Sequence, residues 1–208
     1  MKAIYEDQDL LVLDKPAGID VESLQEKLKD AYLIHRLDKD TSGVILAAKS
    51  QEALIFFQKQ FINRKVEKKY IALTAGEVKV DSGAIETLIG RSKKDGKKQK
   101  VYLVNDPGSK KGKREAITYY KVIERFEDYT LLEVFPKTGR MHQIRVHLAH
   151  IGHPIAGDKV YGFKNQPCPK GLSRPFLHAS YIKVKMPNGK FKEFKSNLPK
   201  ELKLCLPQ

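Results

Sequence analysis

The chain has no tryptophan, only two cysteines and no long apolar run. Cys168 and Cys205 form neither a CxxC pair nor any metal-type spacing, which excludes zinc fingers and disulfide frameworks. No stretch of about 18 apolar residues occurs, which argues against a membrane-spanning helix. The first residues lack the charged and then apolar pattern of a signal peptide. We therefore expect a soluble, cytoplasmic protein.

Acidic residues are scarce relative to basic ones. The 208 residues include 25 Asp and Glu against 39 Lys and Arg, so the net charge is +14. A charge of this size predicts a polyanionic partner and argues against an enzyme that acts on a neutral small molecule. Only eight of the basic residues are Arg. Because the planar guanidinium suits specific pairing, each Arg is a candidate site residue.

Apolar periodicity and turn residues predict strands and helices that do not alternate in a strict βαβ order. Ser50 is a favourable N-cap for the second helix. This mixture favours an α+β fold over a doubly wound one, in a single domain over residues 1–208. We predict strands over 10–14, 44–48, 70–75, 84–89, 116–122, 129–135 and 177–186, and helices over 21–29, 51–63 and 141–151.

Residues 35–43, HRLDKDTSG, place two carboxylates among basic side chains just before a predicted strand. Nearby cations keep a carboxylate ionised, and an ionised, positioned Asp can act as a nucleophile or a base. The alternative interpretation is a solvated, charged turn. For an arbitrary string with this spacing, the charged turn is the commoner outcome.

Residues 137–147, KTGRMHQIRVH, group Arg140, His142 and Arg145 around a turn that leads into a helix. A helix N-terminus with nearby Arg attracts anions, although a basic surface helix would have the same pattern. The His spacing here repeats no known ligand pattern, so we favour satisfied polar histidines over a metal site.

Residues 91–114 contain ten basic residues and two acids, a net charge of +8. Gly and Pro interrupt the segment, which predicts exposed loops or a β-ribbon with a mobile tip. The concentration of charge favours contact with the polyanionic partner. The alternative is a solvated, flexible loop.

Five strings occur in a fixed order along the chain: DLLVLDKPAG (9–18), HRLDKDTSG (35–43), KKYIAL (68–73), TGRMHQIRVHLAHIGHPIAGDKVYG (138–162) and FLHA (176–179). Together they resemble the RluA-type pseudouridine synthases. The resemblance implies the pseudouridine synthase fold, a mixed, mostly antiparallel central sheet flanked by helices and loops. It also implies an isomerase that converts a specific uridine in structured RNA, ribosomal or transfer, to pseudouridine without cofactor or metal.

The resemblance also implies roles for single residues. Asp38 matches the catalytic Asp, whose carboxylate attacks the ribose C1′ or the base C6, or helps the base depart. Arg36 matches the side chain that enters the space left by the flipped nucleotide, since a stacked base hides its glycosidic bond. Tyr70, which on its own would be taken for a core residue, matches the Tyr that stacks on the target base and is a candidate acceptor of the C5 proton. Arg145 matches the Arg that pairs with the catalytic carboxylate.

Further residues are expected to contact RNA. Arg140 is expected at a phosphate or loop, and Leu177 is expected to pack near the base. Asp158 and Tyr161, in GDKVYG, are interpreted as structural. The expected RNA-contacting residues are His35, Arg36, Arg140, His142, Leu177, Lys93, Lys94, Lys97 and Lys98.

Two other functions are compatible with parts of the sequence. One is a non-catalytic RNA-binding protein on the same scaffold, which the intact Asp38, Tyr70 and Arg145 argue against. The other is a phosphate-handling hydrolase, which needs a metal or an oxyanion site that the sequence does not clearly provide.

The chain departs from the family pattern in two places. Met141 stands where Thr is common, and the chain begins at the catalytic domain without the small N-terminal S4-like RNA-binding domain of many relatives. We therefore expect a monomer that selects an RNA stem-loop through its own surface, with no metal and no membrane association.

Overall fold

The computed structural model describes residues 1–96, 98–103 and 111–207. These residues form two compact units. The first comprises Met1–Tyr70 and Leu177–Pro199, and the second comprises the described part of Ile71–Phe176 and Lys200–Gln208. That residues 1–208 act as a single catalytic domain stays a prediction.

The described residues contain both short helices and a larger number of strands, as expected for an α+β protein. The strands are β1 (Lys2–Glu6), β2 (Leu10–Lys15), β3 (Tyr32–Leu33), β4 (Ser42–Ala48), β5 (Glu67–Ala75), β6 (Ser82–Arg91), β7 (Gln99–Tyr102), β8 (Arg114–Arg125), β9 (Tyr129–Pro136), β10 (Leu177–Lys185) and β11 (Phe191–Lys195). The helices are α1 (Val21–Lys27), α2 (Gln51–Ile62), α3 (Gln143–His150) and α4 (Lys200–Lys203).

The first unit is built around β4, whose residues are all buried. Strand β4 pairs antiparallel with β2 and β3 and parallel with β10, while β1 pairs with β2 and β11 with β10. Helix α2 begins after Ser50, whose hydroxyl oxygen accepts the Ala53 N–H at 3.1 Å, as its N-cap role predicts. Its buried Phe57 joins the core formed by Leu46 of β4 and Val184 of β10.

In the second unit β9, β8, β6 and β7 pair antiparallel in that order. Helix α3 packs on them through Val146, which shares a core cluster with Ile89 of β6 and Ala116 of β8. The six residues from Gln143 to Leu148 are all buried. Because α3 is covered on all its sides, its polar side chains need hydrogen-bonding partners inside the protein.

The fold class predicted from the sequence is confirmed, since the strands are mixed in the first unit and antiparallel in the second. Residues 116–122 and 129–135 pair as predicted, within the longer strands β8 and β9. Helix α3 is shorter than predicted. The short or strongly charged elements β1, β3, β7, β11 and α4 were not predicted individually, because their apolar periodicity is too brief to detect.

Candidate active site

A buried lysine anchors the loop that carries Asp38. The side chain of Lys15 is fully buried, and its Nζ donates to the carbonyl oxygens of Pro16 (2.9 Å), Ile19 (2.9 Å) and Lys39 (3.0 Å). A buried ammonium group is tolerated only where acceptors replace its water shell. Lys15 therefore ties the turn after β2 to the residue that follows Asp38.

The end of the same loop is held by a close backbone approach. Gly43 has φ +119°, and a Cβ there would lie 2.1 Å from the carbonyl oxygen of Ala179. Beside it, the Nε2 of His178 donates to the Ser196 carbonyl oxygen at 3.1 Å. The Nδ1 of His178 therefore accepts from the Ser42 hydroxyl at 2.9 Å. The FLHA string thus fixes the exit of the HRLDKDTSG loop.

Between these anchors, the side chains of the loop differ in burial. Leu37 is buried in a core cluster against which Tyr70 packs, whereas Arg36 is exposed and Asp38 is half-buried. The carbonyl of Asp38 accepts the Thr41 N–H at 3.0 Å, which closes a tight turn. The backbone thereby presents Arg36 and Asp38 away from the core.

Asp38 and Tyr70 interact in the first unit. Burial, and after it the negative charge of Asp38, raises the pKa of Tyr70 well above its ordinary value. The phenol is therefore protonated at neutral pH. Its hydroxyl is therefore a hydrogen-bond donor.

The ring of His35 is held in place by neighbours in the first unit. Its Nε2 accepts the Leu46 N–H at 3.1 Å, and it stacks on Phe61 with centroids 4.9 Å apart. Burial, followed by the charge of Lys68, lowers the pKa of His35 to about 3. A neutral His35 braces the loop, and its contact with RNA stays a prediction.

In the second unit, Gln143 organises the turn before α3. Its Oε1 accepts from the Thr138 hydroxyl at 2.7 Å and from the Arg140 N–H at 3.0 Å. Its Nε2 donates to the Ile117 carbonyl at 3.0 Å and to the Thr118 hydroxyl at 2.9 Å. The sequence patterns did not indicate a role for this buried amide, although it lies inside the HQIR string.

The turn also sets the positions of two predicted site residues. His142 precedes α3 with φ +56°, a left-handed conformation uncommon outside glycine. The Arg140 Nε donates to the Glu115 carbonyl on β8 at 2.9 Å. Both side chains are half-buried. Their predicted RNA contacts are not tested by this geometry.

Arg145 forms a buried ion pair with Asp158. Its Nε lies 2.7 Å from Oδ2 and its Nη2 lies 2.9 Å from Oδ1. Burial alone would raise the pKa of Asp158, but the hydrogen bonds and charge of Arg145 outweigh burial, so that the pKa is lowered. The pairing of Arg145 with Asp38, which the motifs imply, stays a prediction. The structure adds Asp158, interpreted above as structural, as the residue that orients Arg145.

Tyr161, the other residue interpreted as structural, lies against the same group. The Arg145 guanidinium carbon is 5.2 Å from the centroid of its ring, within the range of a cation–π interaction. The Tyr161 hydroxyl lies 2.8 Å from His142 Nδ1 and accepts the Gln99 N–H at 2.9 Å. The GDKVYG string is the signal that could have identified both Asp158 and Tyr161.

Two of the other histidines in the 138–162 string, His147 and His153, are hydrogen-bonded within the protein. The two ring nitrogens of His147 lie 2.9 Å from the hydroxyls of Thr87 and Thr118, and His153 Nδ1 lies 3.2 Å from the Ala75 carbonyl oxygen. Within the part of the chain that the structure describes, no group of three His, Cys, Asp or Glu residues is arranged to hold a metal ion.

The lysine-rich segment forms a β-ribbon in its described part, which we name the basic hairpin (residues 91–102). Strands β6 and β7 pair antiparallel, and the Ser92 N–H donates to the Lys98 carbonyl at 2.8 Å across the tip. Lys93 and Lys94 are exposed, while Lys98 lies 4.0 Å from Asp95. The predicted contact at Lys97 lies outside the described residues, as do residues 104–110.

Leu177, expected near the target base, is the buried first residue of β10.

None of the helices in the described residues is both long and apolar enough to span a bilayer.

A family model described as RNA pseudouridylate synthase matches residues 9–150. An uncharacterized RNA pseudouridine synthase of Bacillus subtilis is 36% identical over 220 residues, which cover 95% of this chain and 69% of that protein. A ribosomal large subunit pseudouridine synthase C of Yersinia pestis is 36% identical over 222 residues, which cover 98% of this chain and 67% of that protein.

A solved structure has the same fold. Human RNA Pseudouridylate Synthase Domain Containing 4 aligns with a TM-score of 0.80 and 25% sequence identity, covering 96% of this chain and 89% of that one. The family model spans more than half of the sequence and includes Asp38, Tyr70 and Arg145. The chain therefore belongs to the RNA pseudouridylate synthase family, whose members are RNA-modifying isomerases.

Proposed function

We propose that this protein converts a specific uridine in structured ribosomal RNA to pseudouridine, with Asp38 as the catalytic carboxylate. The observation that carries the proposal is the anchored loop, which Lys15 and Gly43 hold in place. This loop carries a half-buried Asp38 next to Leu37, in the core cluster against which Tyr70 packs. The names of relatives such as ribosomal large subunit pseudouridine synthase C favour ribosomal over transfer RNA.

The reaction is a balanced isomerisation. The bond between C1′ and N1 breaks, the base turns, and C1′ bonds to C5; the C5 proton leaves and N1 gains a proton. Nothing is oxidised or reduced, so the reaction needs no oxidant or reductant. Asp38 either attacks C1′ or C6, in which case its bond to the substrate breaks again before the product is released, or assists departure of the base.

Three further residues have distinct tasks in this proposal. Tyr70 stacks on the extruded base, because a neutral phenol ring in a half-buried position is a suitable stacking surface. Arg36 enters the vacated stack, consistent with its exposure. Arg145 pairs with the Asp38 carboxylate and keeps it ionised.

RNA is gripped more broadly by basic side chains. Lys93, Lys94, Lys97 and Lys98 contact phosphates from the basic hairpin, and Arg140 and His142 contact the strand near the target. Phosphate contacts of this kind position the substrate without reading its sequence. His35 and Leu177 are proposed to border the bound nucleotide.

We extend the proposal to the organisation of the protein. The two compact units act together as one catalytic domain, and the chain works as a monomer in the cytoplasm. Light scattering after size-exclusion chromatography tests the monomer, and a dimer mass would contradict it.

The test of the function is to incubate the purified protein with unmodified ribosomal and transfer RNA and to map pseudouridines at nucleotide resolution. We expect one or a few sites in ribosomal RNA that are absent when Asp38→Asn replaces the wild type. Sites confined to transfer RNA would overturn the substrate class. No new site in either RNA would overturn the activity of this chain.

A further inference from the structure

The hydroxyl of Tyr161 makes two hydrogen bonds that join separate parts of the second unit. It accepts the Gln99 N–H, from the first residue of β7, at 2.9 Å. It also forms a hydrogen bond of 2.8 Å with His142 Nδ1. A single phenol thus connects the basic hairpin to the turn before α3.

The ring and backbone of Tyr161 reach the Arg145 group as well. The ring lies 5.2 Å from the Arg145 guanidinium carbon, and the Tyr161 N–H donates to Asp158 Oδ1 at 3.2 Å. Tyr161 also packs against the core cluster that contains Val146 of α3, with Val101 of β7 alongside. Hairpin, helix and ion pair therefore meet at one side chain.

The hairpin side of this link begins where RNA is proposed to bind. Gln99 directly follows the tip with Lys93, Lys94 and Lys98. Antiparallel pairing from Leu88↔Tyr102 to Arg91↔Gln99 makes the ribbon one hydrogen-bonded body. The Gln99 N–H and the Tyr161 hydroxyl therefore form a continuous hydrogen-bonded path from the tip to the turn before α3.

We propose that Tyr161 is a positioning residue that couples the grip of the basic hairpin on RNA to the setting of His142 and Arg145. The inference rests on the proposed function and adds a division of labour within it. The lysines of the hairpin bind the RNA backbone. When they do so, the Tyr161 hydroxyl positions the turn that precedes α3.

The first experiment removes only the hydroxyl. Tyr161→Phe keeps the ring against Arg145 and the N–H to Asp158, so the fold is retained and thermal melting verifies it. We expect the single-turnover rate at saturating enzyme to fall about tenfold. The variant loses the hydrogen bonds of the hydroxyl to Gln99 and His142, and about 1.4 kcal/mol corresponds to a factor of ten. RNA affinity changes much less, because the lysines remain. An unchanged rate overturns the proposal.

Tyr102→Phe is the matched control on the same hairpin. The Tyr102 hydroxyl donates to the Arg91 carbonyl at 3.0 Å and so bonds within the ribbon. We expect this variant to retain the wild-type rate. A decrease as large as that of Tyr161→Phe would overturn the proposal. It would mean that the loss of any hydrogen bond in the hairpin lowers the rate, whether or not the bond involves Tyr161.

A double-mutant cycle separates coupling from a merely structural role. In the wild type, Lys93→Ala with Lys94→Ala should lower both RNA affinity and the single-turnover rate. In Tyr161→Phe the same pair should lower affinity equally but leave the rate unchanged, since the link is already cut. Multiplicative decreases of the rate in the combined variant would overturn the proposal.

A spectroscopic experiment tests the coupling without requiring turnover. Nitrogen chemical shifts of the His142 ring should change when a stem-loop RNA oligonucleotide binds the wild type. In Tyr161→Phe the RNA-induced change should disappear although the RNA still binds. A change retained in the variant would overturn the coupling. Absent turnover in the wild type would contradict only the proposed function.

Discussion

Arg145 and Asp158 face each other as a bidentate, buried pair: Nε lies 2.7 Å from Oδ2 and Nη2 lies 2.9 Å from Oδ1. The Arg145 side chain is 9% exposed and that of Asp158 is fully buried. Thirteen residues separate them, yet the pair fixes the plane of the guanidinium and leaves it little rotational freedom.

Asp158→Asn should therefore impair both stability and activity. The variant keeps the volume of the side chain but leaves the charge of Arg145 uncompensated, which costs about 3 kcal/mol of unfolding free energy. Urea denaturation measures this decrease, and the single-turnover rate should fall with it. Glu201→Gln is the control: its pair with Arg174 is exposed on the Glu201 side and should change stability by less than about 1 kcal/mol. Equal effects in the two variants would contradict the role of Asp158.

Asp38→Asn should abolish pseudouridine formation while nearly preserving RNA affinity. The amide has the shape of the carboxylate but is neither a nucleophile nor a base. Nucleotide-resolution mapping measures the product, and fluorescence anisotropy with a labelled stem-loop measures binding. Asp40→Asn, an exposed carboxylate in the same loop, should remain active. Turnover near wild type in Asp38→Asn would remove that residue from catalysis.

Gly43→Ala should disrupt the loop that carries Asp38. A Cβ would lie 2.1 Å from the Ala179 carbonyl oxygen, and φ is +119°, so the backbone itself must move, at a cost above about 4 kcal/mol. Circular dichroism melting and the turnover assay measure the effect. Gly18→Ala is the matched control, since its φ is also positive but its Cβ would meet nothing within 4 Å. We expect that control to lose about 1 kcal/mol of stability through strain alone.

Neutralising Lys93, Lys94, Lys97 and Lys98 together should weaken RNA binding and reduce its dependence on salt. The logarithmic salt slope should flatten by roughly one unit for each phosphate that the protein no longer neutralises, because fewer counterions are released. Binding isotherms at several salt concentrations measure the slope. The control removes the same charge from four exposed lysines in other segments, which are Lys2, Lys27, Lys29 and Lys203. Equal slopes for the two variants would mean that total charge, and not the hairpin, governs binding.

His147 should make stability depend on pH. Burial, and after it the charge of His150, lowers the pKa of His147 to about 4, against 6.5 in the unfolded chain. Between these values the unfolded state binds the proton and the folded state does not. The free energy of unfolding therefore has its full value above about pH 6.5. It declines as the pH falls to about 4, by on the order of 3 kcal/mol.

Urea unfolding across this pH range tests the sign. His147→Gln should show a shallower decline than the wild type, because the amide can bond Thr87 and Thr118 without titrating. His150→Gln should make the decline slightly shallower as well, because the charge of His150 contributes to the lowered pKa of His147. Equal slopes in wild type and His147→Gln would refute the assignment.

The sequence nominates candidate site residues because they lie in short strings: motifs single out Asp38, Tyr70 and Arg145, whose roles stay predictions. Apolar patterns predict β4, β8 and β9, which the structure contains. For the lysine-rich segment, Gly and Pro predict loops or a β-ribbon, and its described part contains a β-ribbon. Local residue types and their periodicity carry these inferences, and both are properties of neighbouring positions.

Other parts required the folded chain. No sequence pattern near Lys15 predicts that its ammonium group donates to the carbonyl oxygen of Lys39, 24 positions later. The buried role of Gln143 and the meeting of Tyr161 with Gln99 likewise join distant segments. Such interactions exist only where strand pairing and core packing bring the segments together.

The sequence by itself determined the family, the fold class and the nominated side chains, since these follow from strings and patterns along the chain. Only the tertiary structure decided which groups those side chains face: Asp158 for Arg145, two threonines for His147, and a phenol for His142. The physical reason is burial. A polar group removed from water must find its partner inside the fold, and the packing of distant segments determines which partner that is.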